Sequence, residues 1–281
     1  VVGAASRDLA TGDPRGWRLG GSAAYASLAA ARLGVGTACL LGVDDPAFGA
    51  DELGLLEAAG VDLVRVRLER GPVFENIERT GARRQRWASK SEVVPVASLP
   101  ESWRGARAWL LGPVAGELAD EWAAVAATGS LLVVGWQGLL RDFTADGWVT
   151  RVAPRPSALL ERADLVCASV DDLPPGYALD DVRGYTPGAA MVLTAGARGG
   201  LAVADGSRSV RYAAIAATSV VDPTGAGDVF MAALTAAWLS TGELVTPRTL
   251  RLAAAAGSCA VEGVGLEGVP TRERVAAKLR M

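Results

Sequence analysis

The stretch Asp222-Pro223-Thr224-Gly225-Ala226-Gly227-Asp228 constrains this chain most. Ala217–Val221 before it reads as a strand. Val229–Ser240 after it, rich in Ala, Leu, Phe, Met and Trp, reads as a helix facing a core. Glycines at a strand-to-helix corner let backbone approach a ligand closely, because no Cβ intervenes. The first N–H groups of a helix lack internal partners and sit at its positive end. Those of Gly225, Ala226, Gly227 and Asp228 can converge on one anion. Asp228 adds a carboxylate in the same turn. An anion hole beside a base suits phosphoryl transfer: the hole stabilises the moving phosphoryl group and the base takes a hydroxyl proton. A lone GxGD is more often an N-capping Asp on a Gly-rich turn, so the rest of the chain must decide.

Composition removes several classes. The formal net charge of −3 argues against a basic nucleic-acid surface. The chain has no histidine, which excludes Ser-His-Asp and Cys-His catalysis and His-ligated metals. The base must then be a carboxylate, Lys, Tyr or Cys. Cys39, Cys167 and Cys259 are far apart and in apolar surroundings, so they read as inert core residues of a protein in a reducing cytoplasm. No uninterrupted run of about 18 apolar residues suggests a membrane span, and no secretory leader pattern is visible.

Val1–Ser6 reads as a buried first strand ending at Arg7-Asp8. Residues 9–19 form a loop or hairpin. A helix runs from Ser22, a plausible N-cap, to Leu33 and stops at Gly34. Thr37–Val43 is a strand, and Ala47–Ala59 a helix closed by Gly60. From Leu63 to Trp87 the pattern alternates with period two, so Asp62–Val93 is expected to be a small β flap with one wet face. Its Arg79, Arg83, Arg84 and Arg86 read as solvated surface. Strand–helix alternation then resumes: strands at 108–111, 131–134, 164–167 and 190–194, and helices at 116–127, 247–261 and 271–280. Repeated βα units predict one α/β domain over 1–281, a doubly wound, mostly parallel sheet flanked by helices, with a small β lid from 9–19 and 62–93.

The seven-residue string resembles the second signature of the ribokinase-like, or PfkB, carbohydrate kinase family, DTxGAGD. Gly20-Gly21-Ser22-Ala23-Ala24-Tyr25, continuing into Ala31-Arg32-Leu33-Gly34, resembles that family's N-terminal GGxxxN signature, with Tyr25 where Asn usually faces the sugar. The ordered motifs span nearly the whole chain. Gly135-Trp136-Gln137-Gly138-Leu139-Leu140-Arg141 looks like a QGxxR variant found in members similar to myo-inositol kinases, with Gly135 where an acid normally stands.

That resemblance implies an ATP-dependent kinase of a small sugar, polyol or cyclitol, with Mg²⁺ and, in some members, a monovalent cation behind the loop at Asp222. It implies Asp228 as base, with Gly225, Ala226 and Gly227 in the anion hole. Asp8, Gly20, Gly21, Tyr25, Asn76, Gln137 and Arg141 would meet the acceptor. For Asn76 an exposed flap residue is an equal reading. Ser169, Thr194, Gly196, Gly199, Thr224, Gly225 and Gly227 would hold the nucleotide phosphates. Ala254 and Gly257, in a small-residue helix, would wall the adenine, although close helix packing explains those residues equally. Ser169-x-x-Asp172 replaces the family's NxxE, which leaves Asp172 to reach Mg²⁺ through water. In the family the lid also contributes to a homodimer. Two other readings stand beside this one: a nucleoside kinase of the same fold, with Trp136 or Tyr25 stacking on a base, and a non-catalytic sugar or nucleotide sensor.

Overall fold

Apolar runs too short for helices become buried parallel strands here, and the longer Ala-rich segments become the helices that cover them. The computed structural model describes residues 1–79, 82–204 and 209–281. The first strands are β1 (Val2–Ala4), β2 (Ser6–Leu9), β3 (Trp17–Gly20), β4 (Ala38–Asp44), β5 (Asp62–Leu68), β6 (Val73–Arg79) and β7 (Ala82–Ser89). Then come β8 (Ala108–Leu111), β9 (Leu131–Gly135), β10 (Arg141–Phe143), β11 (Val149–Arg151), β12 (Leu165–Ser169), β13 (Ala190–Thr194), β14 (Gly200–Val203) and β15 (Val210–Tyr212). The helices are α1 (Ser22–Arg32), α2 (Asp51–Ala58), α3 (Ala158–Arg162), α4 (Leu179–Val182), α5 (Ala226–Thr241), α6 (Pro247–Ala260) and α7 (Arg272–Arg280).

Nine strands make the main sheet in the order β15-β14-β13-β12-β9-β8-β1-β4-β5. From β13 to β5 every pair is parallel, while β14 and β15 run antiparallel at one edge. Strand alternation divides the core. Cys39, Leu41, Leu110, Val133, Cys167 and Val192 face α1, α5 and α6. Leu40, Leu111, Leu132, Val134, Val166 and Met191 face Trp122, Leu159 and Val182. Strand order reverses between β1 and β8, and open α/β sheets bind ligands at the carboxyl ends of strands beside such a reversal.

Several expectations need correction. The first strand breaks at Ala5: β1 belongs to the main sheet, and β2 joins a four-stranded lid ordered β3-β2-β6-β7. The alternation at 62–68 belongs to the main sheet, because β5 pairs parallel with β4. It reflects an edge strand, with Val64 and Val66 packed on the core while Arg65 and Arg67 cross the Phe48 ring. The expected helix at 116–127 is only a short 3₁₀ segment, Asp120–Ala124. Residues 217–221 form no strand; Val221 N–H instead donates to Val261 O at 2.7 Å. Residues 45–47 form a separate 3₁₀ turn, so α2 is shorter than expected. Ser22 does not cap α1: Gly21, at φ +98°, occupies that position, and Ser22 is the first helical residue.

The lid rests on a second small sheet. The β10–β11 hairpin, which rises from the main body, supports it. Trp87 N–H donates to Gly147 O and its indole N–H to Thr144 O, both at 3.0 Å. Phe74 stacks on Phe143 with centroids 6.2 Å apart, and Trp87 meets Phe143 edge-on at 5.8 Å. Arg84 and Arg86 are exposed as expected and lie over Trp148. The side chains of Arg79 and Arg83 lie outside the described residues.

Candidate active site

Gly225 is the N-cap of α5 and sits in the left-handed region at φ +77°. The ring of Tyr25 fills the space where its Cβ would be. The loop leading to it is tied down at Asp222, whose carboxylate accepts from Thr224 N–H at 2.9 Å and Gly265 N–H at 3.1 Å. Ala226 N–H turns back to Pro223 O at 3.4 Å. Ala226 is thereby drawn out of the expected hole. Among the described residues, no carbonyl takes up the N–H groups of Gly225 and Gly227. A Cβ on Gly227 would meet no protein atom within 4 Å, so this backbone faces open space.

Asp228 follows in the first turn, half-buried, and Oδ1 accepts from Ser22 Oγ at 2.5 Å. Its carboxyl is pushed up to about 6. Loss of hydration is the chief cause, the Ser22 hydrogen bond opposes it, Asp172 and Asp8 add to it, and Arg141 opposes it. These interactions place Asp8, Arg141 and Asp172 around the Asp228 carboxyl. Cys167, buried alongside, is pushed up to about 12 by burial and by the charge of Asp228.

The lid brings together residues expected on the acceptor side. Asp8 pairs with Phe74 across β2 and β6, so Asp8, Phe74 and Asn76 share one lid face by period-two alternation. Ser6 Oγ donates to Asp8 Oδ1 at 2.9 Å. The Asn76 side-chain oxygen accepts from Gln85 Nε2 at 3.0 Å. The Arg141 guanidinium lies over the Phe74 ring, 5.7 Å from its centroid. The paired glycines act through absence of side chains. A Cβ on Gly20 would stand 2.6 Å from Asp8 Oδ2, and one on Gly21 would overlap Ala4 O.

On the other side, Asp172 accepts from Gln137 Nε2 at 3.0 Å and from Ser169 N–H at 3.1 Å. Gln137 thus orients an acid at the cleft instead of lying free in it. Ser169 pairs with Thr194, whose hydroxyl donates to Ala168 O at 3.3 Å. Gly196 and Gly199, at φ +55° and +82°, make the tight turn into β14, and a Cβ on Gly199 would overlap Tyr212 O.

Four residues leave the places first given them. Tyr25 is 3% exposed, beneath the Gly225 turn, and so does not line an acceptor surface. Ala254 is buried, and a Cβ on Gly257 would lie 3.3 Å from Ala226 O. Gly257 thus abuts the first turn of α5, and buried Ala254 presents no open wall. Trp136 is fully buried and is unable to stack on a bound base.

Sequence reasoning overlooked two groups. Ser22 was read as a cap, although a hydroxyl directly after paired glycines was its visible signal. Glu117, fully buried, accepts backbone N–H groups of Ala4, Val114 and Ala115 at 3.3, 2.9 and 2.8 Å. It pins the loop after β8 to the end of β1, and burial pushes its carboxyl up. A lone Glu after a glycine carries no signal of that role. A cavity of about 1320 Å³ lies at the opposite end of the sheet, beside Val1, Trp103 and Leu252. It is ~20 Å along α5 from Asp228 at 1.5 Å per residue.

A large, mostly parallel sheet with a small β lid thus carries a carboxylate in the first turn of a helix whose N-terminal backbone is open. Residues 148–272, less than half of the chain, match the model of the pfkB family carbohydrate kinases. No curated protein matches it in sequence. Solved structures of similar fold include a pyrophosphate-dependent kinase of the ribokinase family complexed with a pyrophosphate analog and myo-inositol (18% identity, 98% of each chain covered, TM-score 0.78). Another is the ribokinase of Arabidopsis thaliana with ribose and ATP (19% identity, 100% of this chain and 98% of that one, TM-score 0.69). A nucleoside kinase of Methanocaldococcus jannaschii is also similar (17% identity, 99% and 96%, TM-score 0.66). Among the described residues, no helix is long and apolar enough to cross a membrane.

Proposed function

We propose that this kinase transfers the γ-phosphoryl group of ATP to a hydroxyl of a small sugar, polyol or cyclitol. One observation carries the reading: Asp228 sits in the first turn of α5, beside the open backbone of Gly227 and among Asp8, Arg141 and Asp172. As the acceptor oxygen bonds to phosphorus, its proton passes to Asp228, and the bond from phosphorus to the leaving oxygen breaks. The N–H groups of Gly225 and Gly227 stabilise the charge on the phosphoryl oxygens. Arg141 offsets the crowding of acids. Asp8 accepts acceptor hydroxyls, and Asn76 reaches the same molecule.

The donor set suits Mg²⁺ held indirectly. Among the described residues no three acids form a metal cage. Asp172, oriented by Gln137 and Ser169, keeps lone pairs for a water of a hydrated Mg²⁺, which would neutralise phosphate charge. Thr194, Gly196, Gly199 and Thr224 belong to the donor side in this reading. Exposed Val220, Val221 and Val264 flank the Asp222 loop and offer the apolar surface a base requires.

The burial of Ala254 favours a second reading of the donor. Without the small-residue wall, pyrophosphate could serve, as it does for the kinase in the first structure above. The nucleoside-acceptor reading loses its two stacking candidates, Trp136 and Tyr25, to the core. A sensor would not need Asp228 and the open Gly227 kept together. The reading also includes a homodimer through the lid, whose outer side carries Leu9, 43% exposed. Sedimentation velocity reads that state. The main test is a screen of sugars, cyclitols and nucleosides against ATP and against pyrophosphate, with Asp228→Asn as control. Phosphorylation of a polyol that depends on Asp228 supports the reading; no turnover with any pair counts against it.

A further inference from the structure

We propose that Ser22 positions the base, its hydroxyl holding Asp228 Oδ1 so that Oδ2 is presented to the acceptor. The proposal rests on the reading of Asp228 as the base. Three observations carry it. First, the Ser22 Oγ to Asp228 Oδ1 distance is 2.5 Å across 206 residues of chain. Second, Ser22 has no capping duty, since α1 shows no side-chain cap hydrogen bond, and at 6% exposure it is shielded from water. Third, the sheet is hollowed to admit it. A Cβ on Gly112, just past β8, would overlap Ser22 Oγ, and a Cβ on Gly3 in β1 would stand 2.9 Å from Ala23 Cβ. These two glycines let the first turn of α1 settle onto the strand ends where α5 also begins.

A carboxylate at the start of a helix can rotate about its χ2 bond, and only some orientations aim an oxygen at the cleft. A charge-assisted hydrogen bond from a buried hydroxyl selects one. The other charged or titratable groups facing Asp228 are Asp172 after β12, Arg141 on β10, Asp8 on β2 and Cys167 on β12. The acids raise the carboxyl, whereas Arg141 and Ser22 lower it. Loss of the hydroxyl therefore moves the acidic limb of the rate profile to higher pH.

The experiment compares wild type, Ser22→Ala, Ser22→Thr, Gly112→Ala and the Ser22→Ala/Gly112→Ala pair. It reads kcat, acceptor KM, and kcat/KM against pH. Ser22→Ala should lower kcat roughly tenfold or more, as expected for one lost hydrogen bond to a charged group. Acceptor KM should change little, and the acidic limb should move up. Gly112→Ala, by displacing the hydroxyl, should reproduce both effects, and the pair should fall no further than either single variant. Ser22→Thr should restore the limb. An activity-free readout is the ¹³C-carboxyl resonance of Asp228, assigned by its absence in Asp228→Asn, which should titrate at higher pH in Ser22→Ala. An unchanged titration and an unchanged pH limb in Ser22→Ala would overturn the proposal. If Asp228→Asn itself stays active, the base assignment fails instead, so the two failures are told apart.

Discussion

The ring of Tyr25 occupies the place where Gly225 would carry a side chain. The turn that begins α5 thus rests on an aromatic residue of α1, 200 positions earlier. Gly225→Ala meets both this ring and a left-handed φ of +77°. It should lose activity and stability together. Tyr25→Ala should lower stability by about 3–5 kcal/mol, the usual cost of emptying a buried aromatic site. Tyr25→Phe should keep most activity. Urea melts alongside kinetics check this; a fully stable, active Tyr25→Ala would show that the turn does not need its floor.

Gly227 makes the opposite prediction. No protein atom lies within 4 Å of its missing Cβ, so Gly227→Val should fold with a nearly unchanged melting curve. The valine would occupy the space where a phosphoryl group must approach backbone N–H donors. Losing one such donor costs about 10²–10³ in kcat, and blocking the site should cost at least that. Retained kcat would put the anion hole elsewhere.

Asp228→Asn should lower kcat by about 10²–10⁴, with donor binding kept. In the wild type, the acidic limb of kcat/KM should lie near pH 6, where burial places the carboxyl. The stability consequence has a definite sign. The folded carboxyl binds its proton more tightly than the unfolded one. The stability linked to that proton is full below the unfolded value of 3.8 and is lost as pH rises through about 6. Asp228→Asn should therefore melt higher than wild type at neutral pH, and the difference should vanish near pH 4. Equal melting temperatures at neutral pH would contradict the raised carboxyl.

Asp8 and Asn76 share one face of the lid. Asp8→Ala should raise acceptor KM strongly with donor affinity nearly intact. Asn76→Ala should do so more mildly, since it forfeits a neutral hydrogen bond. A structure with acceptor bound is decisive: if neither side chain comes within hydrogen-bonding reach, the lid's inner face does not read the acceptor.

Some of this was settled by the order of residues alone. A turn that needs φ > 0 at Gly225 and an open backbone at Gly227 leaves its mark as local glycines, and the apolar runs at 131–134 and 190–194 could only be buried strands. Helix α5 and the parallel sheet followed from such short-range rules. What remained illegible depended on distant partners. Alternation at 62–68 looks the same in a lid strand and an edge strand, and only pairing with β4 decided between them. Ala254 and Gly257 are small whether they face a nucleotide or another helix, and only the burial of Ala254 and the approach of Gly257 to Ala226 showed helix packing. Tyr25 beneath Gly225, Glu117 under the β8 loop and Ser22 on Asp228 are contacts across long stretches of chain. Local composition carries no trace of them, because a buried polar group's role is set by which donors and acceptors the fold brings within 3 Å of it.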